Sequence, residues 1–137
     1  MELRRMMNTS KPSQYSPLVL AYIGDGVYEL FVRTKIIKEH TDMPTAKLHK
    51  LSITHVKAHA QSNSMLAVEP ILSEEELSVY KRGRNAKSAT VPKNADVADY
   101  RRATGFEALI GYLYLKGDTQ RLNEIMELAY ANSVDKK

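Results

Sequence analysis

The sequence has no cysteine, only six glycines and five prolines among its 137 residues, and no long apolar run. Without cysteine, disulfide bonds and thiolate zinc sites are excluded, and a reducing cytoplasmic location fits the composition. No apolar stretch approaches the roughly 18 residues needed to span a bilayer. Residues 1–11 are basic but have no apolar region behind them, so we expect no signal peptide and no membrane association. The metal ligands that remain are carboxylates and four histidines.

Positive charge is in slight excess and is concentrated in one stretch. Twenty Lys and Arg against 16 Asp and Glu give a net charge of +4, which alone is weak support for a polyanionic partner. Seven basic residues fall between positions 81 and 102, namely Lys81, Arg82, Arg84, Lys87, Lys93, Arg101 and Arg102. From charge alone, this stretch is equally consistent with a solvated loop.

Apolar residues recur three and four positions apart almost throughout, which predicts an all-α fold. We expect a single helical bundle over residues 1–137, with flexible ends at 1–14 and 133–137. Ser16-Pro17 is a helix start, and that helix should extend to about Glu39. Further helices are predicted after Pro44, at 64–68, from a capping box at Ser73, at 96–115 and after Gly117. Residues 83–93 lack periodicity and are predicted to form a functional loop.

Two carboxylates lie at positions that a helix core disfavours. Asp25 lies between Gly24 and Gly26, and each glycine inside a helix costs about 1 kcal/mol relative to alanine. Glu107 follows the small residues 103–105 in an otherwise hydrophobic helix. If these two helices pack through their small residues, the carboxylates would meet and suit Mg²⁺, a hard cation that keeps several waters. From spacing alone, the alternative that each acid caps a helix or pairs with a nearby Arg or Lys stays open.

Two blocks of the sequence resemble the ribonuclease III family. Residues 20–30, LAYIGDGVYEL, are similar to the family signature ExLEFLGDAVLEL, and residues 102–115, RATGFEALIGYLYL, resemble its second block, ADxFEALIGAIYLD. The blocks occur in the family's order and at a similar separation, and residues 46–51 resemble the helix that follows the first. Of four principal acidic positions, two are kept as Asp25 and Glu107, and two fall on Ala21 and Thr104. Because no room remains after Asn132 for a double-stranded-RNA-binding domain, the chain resembles the compact Mini-III branch.

The resemblance implies a ribonuclease III endonuclease domain that hydrolyses double-stranded RNA, leaving 5′-phosphate and 3′-hydroxyl ends. It implies that Asp25 and Glu107 are catalytic and hold Mg²⁺, with Mn²⁺ as a substitute, in a homodimer. The implied substrate is the bacterial 23S ribosomal RNA precursor, with a large-subunit ribosomal protein assisting on it. Without a separate binding domain, this domain must itself bind RNA. The predicted RNA-binding residues are Lys47, Lys50, Lys81, Arg82, Arg84, Asn85, Lys87, Lys93, Arg101 and Arg102.

Two other interpretations stay open at this point. His55 and His59 have a spacing that can bind zinc, but no third ligand is evident, so surface histidines are the better account. The loss of two acids also allows a catalytically inactive ribonuclease III fold that serves as an RNA-binding or ribosome-associated structural protein. The retention of both Asp25 and Glu107 favours the enzyme. Tyrosines at helical spacing beside leucines are predicted to belong to the core, namely Tyr22, Tyr28, Tyr112 and Tyr114.

Overall fold

The computed structural model describes residues 11–87 and 96–135, and within these ranges the chain forms six α-helices and no strand. The helices are α1 (Pro17–Glu39), α2 (Thr45–Val56), α3 (Ala58–Val68), α4 (Glu74–Asn85), α5 (Val97–Lys116) and α6 (Thr119–Ala131). Single 3-10 turns lie at Pro12–Gln14 and Glu69–Ile71. The predicted all-α fold is confirmed. None of the described helices is long and apolar enough to cross a membrane.

Helix α5 lies at the centre of the bundle, where it packs against α1, α3, α4 and α6. A helix that is apolar on all sides is expected in such a place. The Asp96 side chain caps its start by accepting from the backbone N–H of Asp99, and Gly117 ends it with a φ of 80°. Every residue from 103 to 113 is buried except Glu107, which is partly exposed. The carboxylate therefore lies at the one opening along the buried part of α5.

The predicted helix starts of α1 and α4 are confirmed. The Ser16 hydroxyl accepts from the Val19 backbone, and Pro17 occupies the first turn of α1. At the start of α4, Ser73 and Glu76 form the reciprocal bonds of a capping box. The buried Glu76 carboxylate also receives two hydrogen bonds of 2.8 Å from the Arg121 guanidinium, which joins α6 to α4.

Two predicted boundaries are wrong. Helix α3 begins at Ala58 rather than near residue 64, because the extended backbone of Lys57 (ψ 158°) separates it from α2. Its buried polar residues conceal the apolar spacing. The predicted loop also begins too early, since α4 continues to Asn85. In the sequence, Gly83 looks like a helix breaker. In the structure it allows α4 to pack closely on α5, because a Cβ at this position would lie 2.9 Å from the Cα of Gly105. Residues 88–95 of the predicted loop lie outside the described ranges.

The segment after α6 is packed as far as residue 135, so the prediction of a frayed end from residue 133 is wrong there. Ser133 is buried, and its hydroxyl lies 2.6 Å from Nδ1 of His55. The amide nitrogen of Asn63 donates to the Ser133 carbonyl at 3.2 Å and to the Asp135 carboxylate at 2.8 Å. These contacts come from α2 and α3, which are distant in sequence and leave no local pattern.

Candidate catalytic site

The two small-residue patches pack together where α1 crosses α5. A Cβ on Gly24 would lie 1.8 Å from the carbonyl oxygen of Glu107, and one on Gly111 would lie 2.0 Å from the carbonyl oxygen of Leu20. Neither place has room for a side chain, so the two helix backbones are in direct contact. Gly26, in contrast, has nothing within 4 Å of the position its Cβ would occupy. The close approach of the two helices thus depends on Gly24 and Gly111.

This crossing brings the carboxylates of Asp25 and Glu107 together. Asp25 is exposed, whereas Glu107 is partly buried. Burial raises the pKa of Glu107 to about 8, and Asp25 adds to the rise through its charge and through a hydrogen bond between the two side chains. The charge of Glu29, one turn after Asp25, acts weakly in the same direction. Ionisation of both carboxyl groups at this crossing is therefore electrostatically unfavourable.

A divalent cation fits this pair of carboxylates. None of the ion pairs among the described residues involves Asp25 or Glu107. Nor do those residues include a group of three or more His, Asp or Glu side chains suited to a metal. A two-carboxylate donor set matches Mg²⁺, which is often held by one or two carboxylates and keeps several waters. The alternative interpretation, in which each acid forms a salt bridge with a nearby Arg or Lys, is therefore not seen among the described residues.

The two positions that lack an acid supply no charged ligand in its place. Ala21 is buried in the core and has no donor atom in its side chain. The Thr104 hydroxyl donates to the Tyr100 carbonyl one turn earlier in α5, at 3.1 Å. Of the family's four acidic positions, two therefore carry a carboxylate here, namely Asp25 and Glu107.

Sequence analysis missed a third residue of this site, Gln61 on α3. It is 2% exposed. Its amide nitrogen donates to the Val56 carbonyl at 3.0 Å and to Oε2 of Glu107 at 3.5 Å. The bond to Glu107 opposes the rise of the glutamate pKa. No sequence signal identifies Gln61, because it lies 46 positions from Glu107 among other polar residues.

Most of the predicted RNA-binding residues lie along two neighbouring recesses beside α4. The predicted residues that line the first recess are Lys81, Arg82 and Asn85. Pro17, at the start of α1, also lines it. The second recess has a volume of about 350 Å³, and the predicted residues that line it are Arg84, Lys87 and Arg101. Thr104 also lines the second recess and precedes Glu107 by three residues, which is nearly one helical turn. The basic surface thus extends towards the carboxylate pair.

The remaining predicted RNA-binding residues lie apart from these recesses or have other partners. Arg102 donates to the Ser62 hydroxyl at 3.3 Å and lies 3.7 Å from the Asp99 carboxylate. Lys47 and Lys50 are exposed on α2, whose main contacts are with α1 and α3. Lys93 lies outside the described ranges.

The two histidines considered for zinc contact different residues. His55 is half-buried rather than at the surface, and its ring stacks on Tyr130 with 4.3 Å between the ring centroids. His59 is exposed, and its ring nitrogens lie 2.9 Å from Asp99 and 3.2 Å from Asp135. Both rings therefore help to attach the C-terminal segment and the start of α5 to α2 and α3.

Comparison with known proteins agrees with the fold. Residues 18–118 match the family model described as the Ribonuclease III domain. The chain is 57% identical over 115 residues to the Mini-ribonuclease 3 of Clostridium tetani, covering 84% of this chain and 76% of that protein. It is 51% identical over 123 residues to the Mini-ribonuclease 3 of Brevibacillus brevis, covering 90% and 91%. A crystal structure of a Fusobacterium nucleatum protein superposes with a TM-score of 0.76 at 32% identity, covering 83% of this chain and 90% of that one.

The chain therefore belongs to the ribonuclease III family, and it is an endoribonuclease of the Mini-ribonuclease 3 type. The family and fold predicted from the two sequence blocks are confirmed. Ribonuclease III enzymes depend in general on divalent metal ions, in keeping with the two neighbouring carboxyl groups at the crossing of α1 and α5.

Proposed function

We propose that this protein is a Mg²⁺-dependent endoribonuclease that cleaves double-stranded RNA at Asp25 and Glu107, with Mn²⁺ able to substitute. One observation carries the proposal: the backbone contact between α1 and α5 brings two carboxylates together, and no Lys or Arg of residues 11–87 and 96–135 forms an ion pair with either. Asp25 is exposed and can meet a phosphodiester from solvent, while Glu107 lies behind it at the opening along α5.

The protein's own part in the reaction is to hold and orient the groups that react. Asp25 and Glu107 would hold the metal ion, and the close crossing of α1 and α5 keeps their two carboxyl groups in place. When bound, Mg²⁺ lowers the pKa of water and offsets charge on the leaving 3′-oxygen. The expected products carry 5′-phosphate and 3′-hydroxyl ends. A divalent ion held by these two carboxylates would keep several of its waters, in the way Mg²⁺ usually binds to proteins.

Metal removal tests this reaction. The purified protein should cut a labelled RNA duplex in Mg²⁺, should leave a single strand of the same sequence intact, and should lose all cleavage when EDTA is added in excess. Mn²⁺ added back beyond the EDTA should restore cutting. Gel analysis of the labelled ends gives the result. Cleavage that persists in EDTA, or that favours the single strand, would contradict the proposal.

The two recesses beside α4 are the proposed contact with the RNA backbone. A-form RNA is recognised mainly through its phosphates and 2′-hydroxyls, so a basic surface next to the carboxylates is expected to set the position of the cut. Replacing Arg82, Arg84 and Lys87 together by alanine should weaken duplex binding. It should also reduce the slope of log affinity against log salt concentration by about 2 to 3, because up to three phosphate contacts are lost.

A charge-matched variant provides the control for that measurement. Replacing Arg82 and Arg84 by lysine keeps the net charge and should leave the salt slope near its wild-type value. Fluorescence anisotropy of a labelled duplex at several salt concentrations, with Ca²⁺ in place of Mg²⁺, gives both slopes. An unchanged slope in the triple alanine variant would remove these recesses from the interface.

We also propose that the enzyme is a homodimer paired through α1. Several apolar side chains are exposed on this helix, and at helical periodicity they fall on one side of it: Leu18, Val19, Tyr22, Leu30 and Ile37. The prediction that Tyr22 belongs to the core is wrong, since its side chain is 83% exposed. An apolar face of this kind suits a second copy of the helix. Sedimentation equilibrium that returned the mass of one chain would contradict the dimer.

The substrate proposed from the family resemblance is the precursor of bacterial 23S ribosomal RNA, with a large-subunit ribosomal protein assisting on it. Recognition of double-stranded RNA mainly through its shape suits a substrate that is a particular folded precursor. Incubation with the transcribed precursor, with and without large-subunit proteins, tests this substrate. Cutting at scattered positions under both conditions would oppose it.

A further inference from the structure

The oxygen of the Gln61 side chain is buried and lacks a hydrogen-bond partner among the residues that the structure describes. The orientation of the amide follows from its surroundings, because the Val56 carbonyl can only accept a hydrogen bond and must face the nitrogen, which also lies 3.5 Å from Oε2 of Glu107. The oxygen is therefore directed away from both of them. A buried acceptor without a donor is rare and costly in proteins, and each case calls for an explanation.

Packing alone does not explain a glutamine at this position. A methionine has a similar length and would fill the same space without leaving a buried oxygen unpaired. Other buried polar side chains of α3 have partners: the Ser64 hydroxyl, for example, donates to the Ala129 carbonyl at 2.7 Å. Gln61 is thus the residue of this helix whose bonding is incomplete, and it contacts one of the two carboxylates at the crossing of α1 and α5.

A hydrated divalent cation would supply the missing donor. Mg²⁺ and Mn²⁺ keep several waters when only two carboxylates bind them, and such waters are good hydrogen-bond donors. Carboxylates that bind metals are in turn held by neighbouring hydrogen bonds, and those neighbours strongly affect metal affinity. Gln61 has the two groups needed: a nitrogen bonded to Glu107 and an oxygen with unused acceptor capacity.

We propose that Gln61 is a positioning residue of the metal site, whose nitrogen orients Glu107 and whose buried oxygen accepts a hydrogen bond from a water that the cation carries. This inference rests on the proposed function, because it takes Asp25 and Glu107 as the metal ligands. Gln61 lies on α3, outside the two sequence blocks that resemble the family, so the inference gives this helix a role in the site.

Manganese binding without RNA tests the inference directly. Electron paramagnetic resonance of free Mn²⁺, titrated into the full-length protein at constant pH, gives the half-saturating concentration. Gln61→Met should raise that concentration by about tenfold or more. Gln61→Glu keeps an acceptor oxygen at the same reach but loses the nitrogen that donates to Glu107, so it should recover only part of the Mn²⁺ affinity that Gln61→Met loses. Ser64→Ala loses a buried hydrogen bond of the same helix and should lower the melting temperature without changing Mn²⁺ binding.

The outcomes separate this inference from the proposed function. If wild-type protein binds Mn²⁺ and Gln61→Met binds it equally well, Gln61 has no positioning role and the proposed function stands. If Ser64→Ala loses as much affinity as Gln61→Met, the effect is structural and the inference is wrong. If Gln61→Glu recovers none of the affinity that Gln61→Met loses, the role given to the buried oxygen is wrong. If the wild-type protein and Asp25→Asn both fail to bind Mn²⁺ with or without duplex RNA, the proposed function itself fails.

Discussion

Replacing Glu107 by glutamine should slow cleavage of duplex RNA by about a thousandfold or more, because the metal ion loses one of its two charged ligands. Asp25→Asn should have an effect of similar size for the same reason. The double variant should be little worse than either single one, since the two carboxylates act as a unit. Single-turnover cleavage rates at saturating Mg²⁺ measure all three. Glu127→Gln on the surface of α6, where the carboxylate pairs with Lys35, provides a control that should keep wild-type activity.

The same substitution should make the metal-free protein more stable. The pKa of Glu107 is raised from its ordinary value of 4.5 to about 8, so between these pH values the carboxyl is ionised in the unfolded chain and protonated in the folded one. The unfolded chain then binds fewer protons, and the free energy of unfolding falls as pH rises through this range, by about 3 kcal/mol or less. Glutamine cannot ionise, so Glu107→Gln should remove this decrease.

Urea unfolding in EDTA at pH 5 and pH 8 checks that prediction. From pH 5 to pH 8, the free energy of unfolding should fall more for the wild-type protein than for Glu107→Gln. When Mg²⁺ replaces EDTA, it should stabilise the wild type more at pH 8, because metal binding there need not displace a proton. An activity within about tenfold of wild type for Glu107→Gln, or an equal pH dependence of stability in both proteins, would contradict the role given to Glu107.

Gly24→Ala should destabilise the fold by at least about 3 kcal/mol or prevent folding altogether. Its Cβ would lie 1.8 Å from the Glu107 carbonyl oxygen, and that atom belongs to the rigid backbone of the central helix. Relief would require α1 and α5 to separate, which would open the core and move the two carboxylates apart.

Gly26→Ala, two residues further along the same helix, is the matched control. Among the described residues, no atom outside its own helix backbone lies within 4 Å of its Cβ position, so alanine should leave the crossing of α1 and α5 intact and should stabilise α1 by up to about 1 kcal/mol through its higher helix propensity. Gly26 lies on the α1 face proposed for dimer pairing, so any loss of stability in this variant belongs to that pairing and is identified by a change in sedimentation. Thermal unfolding of the two variants compares them. Equal melting temperatures would show that the crossing of α1 and α5 is not as close as described.

The sequence predicts those features of the fold that arise locally. Ser16-Pro17 and the Ser73 capping box mark helix starts through bonds to residues three positions away, so their pattern is visible in the chain itself. The long helices α1 and α5 carry enough apolar periodicity to be placed within a residue or two. The resemblance of their two blocks to a known family added what periodicity could not, namely that Asp25 and Glu107 belong to one site.

Features that depend on contacts between distant segments could not be predicted. Gly83 has the same appearance in the sequence whether it ends a helix or lets one pack on Gly105. Tyr22 was assigned to the core from helical spacing, which does not tell which side of α1 faces the bundle. Gln61 acquires its importance only when α3 lies against Glu107. In each case the deciding neighbour lies more than 20 residues away, beyond the range of local patterns.

The central claim is that Asp25 and Glu107 together hold a divalent cation, and diffraction from crystals soaked in Mn²⁺ tests it most directly. Data collected above pH 8, where Glu107 is ionised, and near the manganese absorption edge give an anomalous difference map that locates the metal without prior phases from it. The account predicts a peak between the two carboxylates, lost in Asp25→Asn crystals soaked in the same way. Manganese bound elsewhere on the protein, with no peak at this pair although the soaked crystals diffract well, would contradict it.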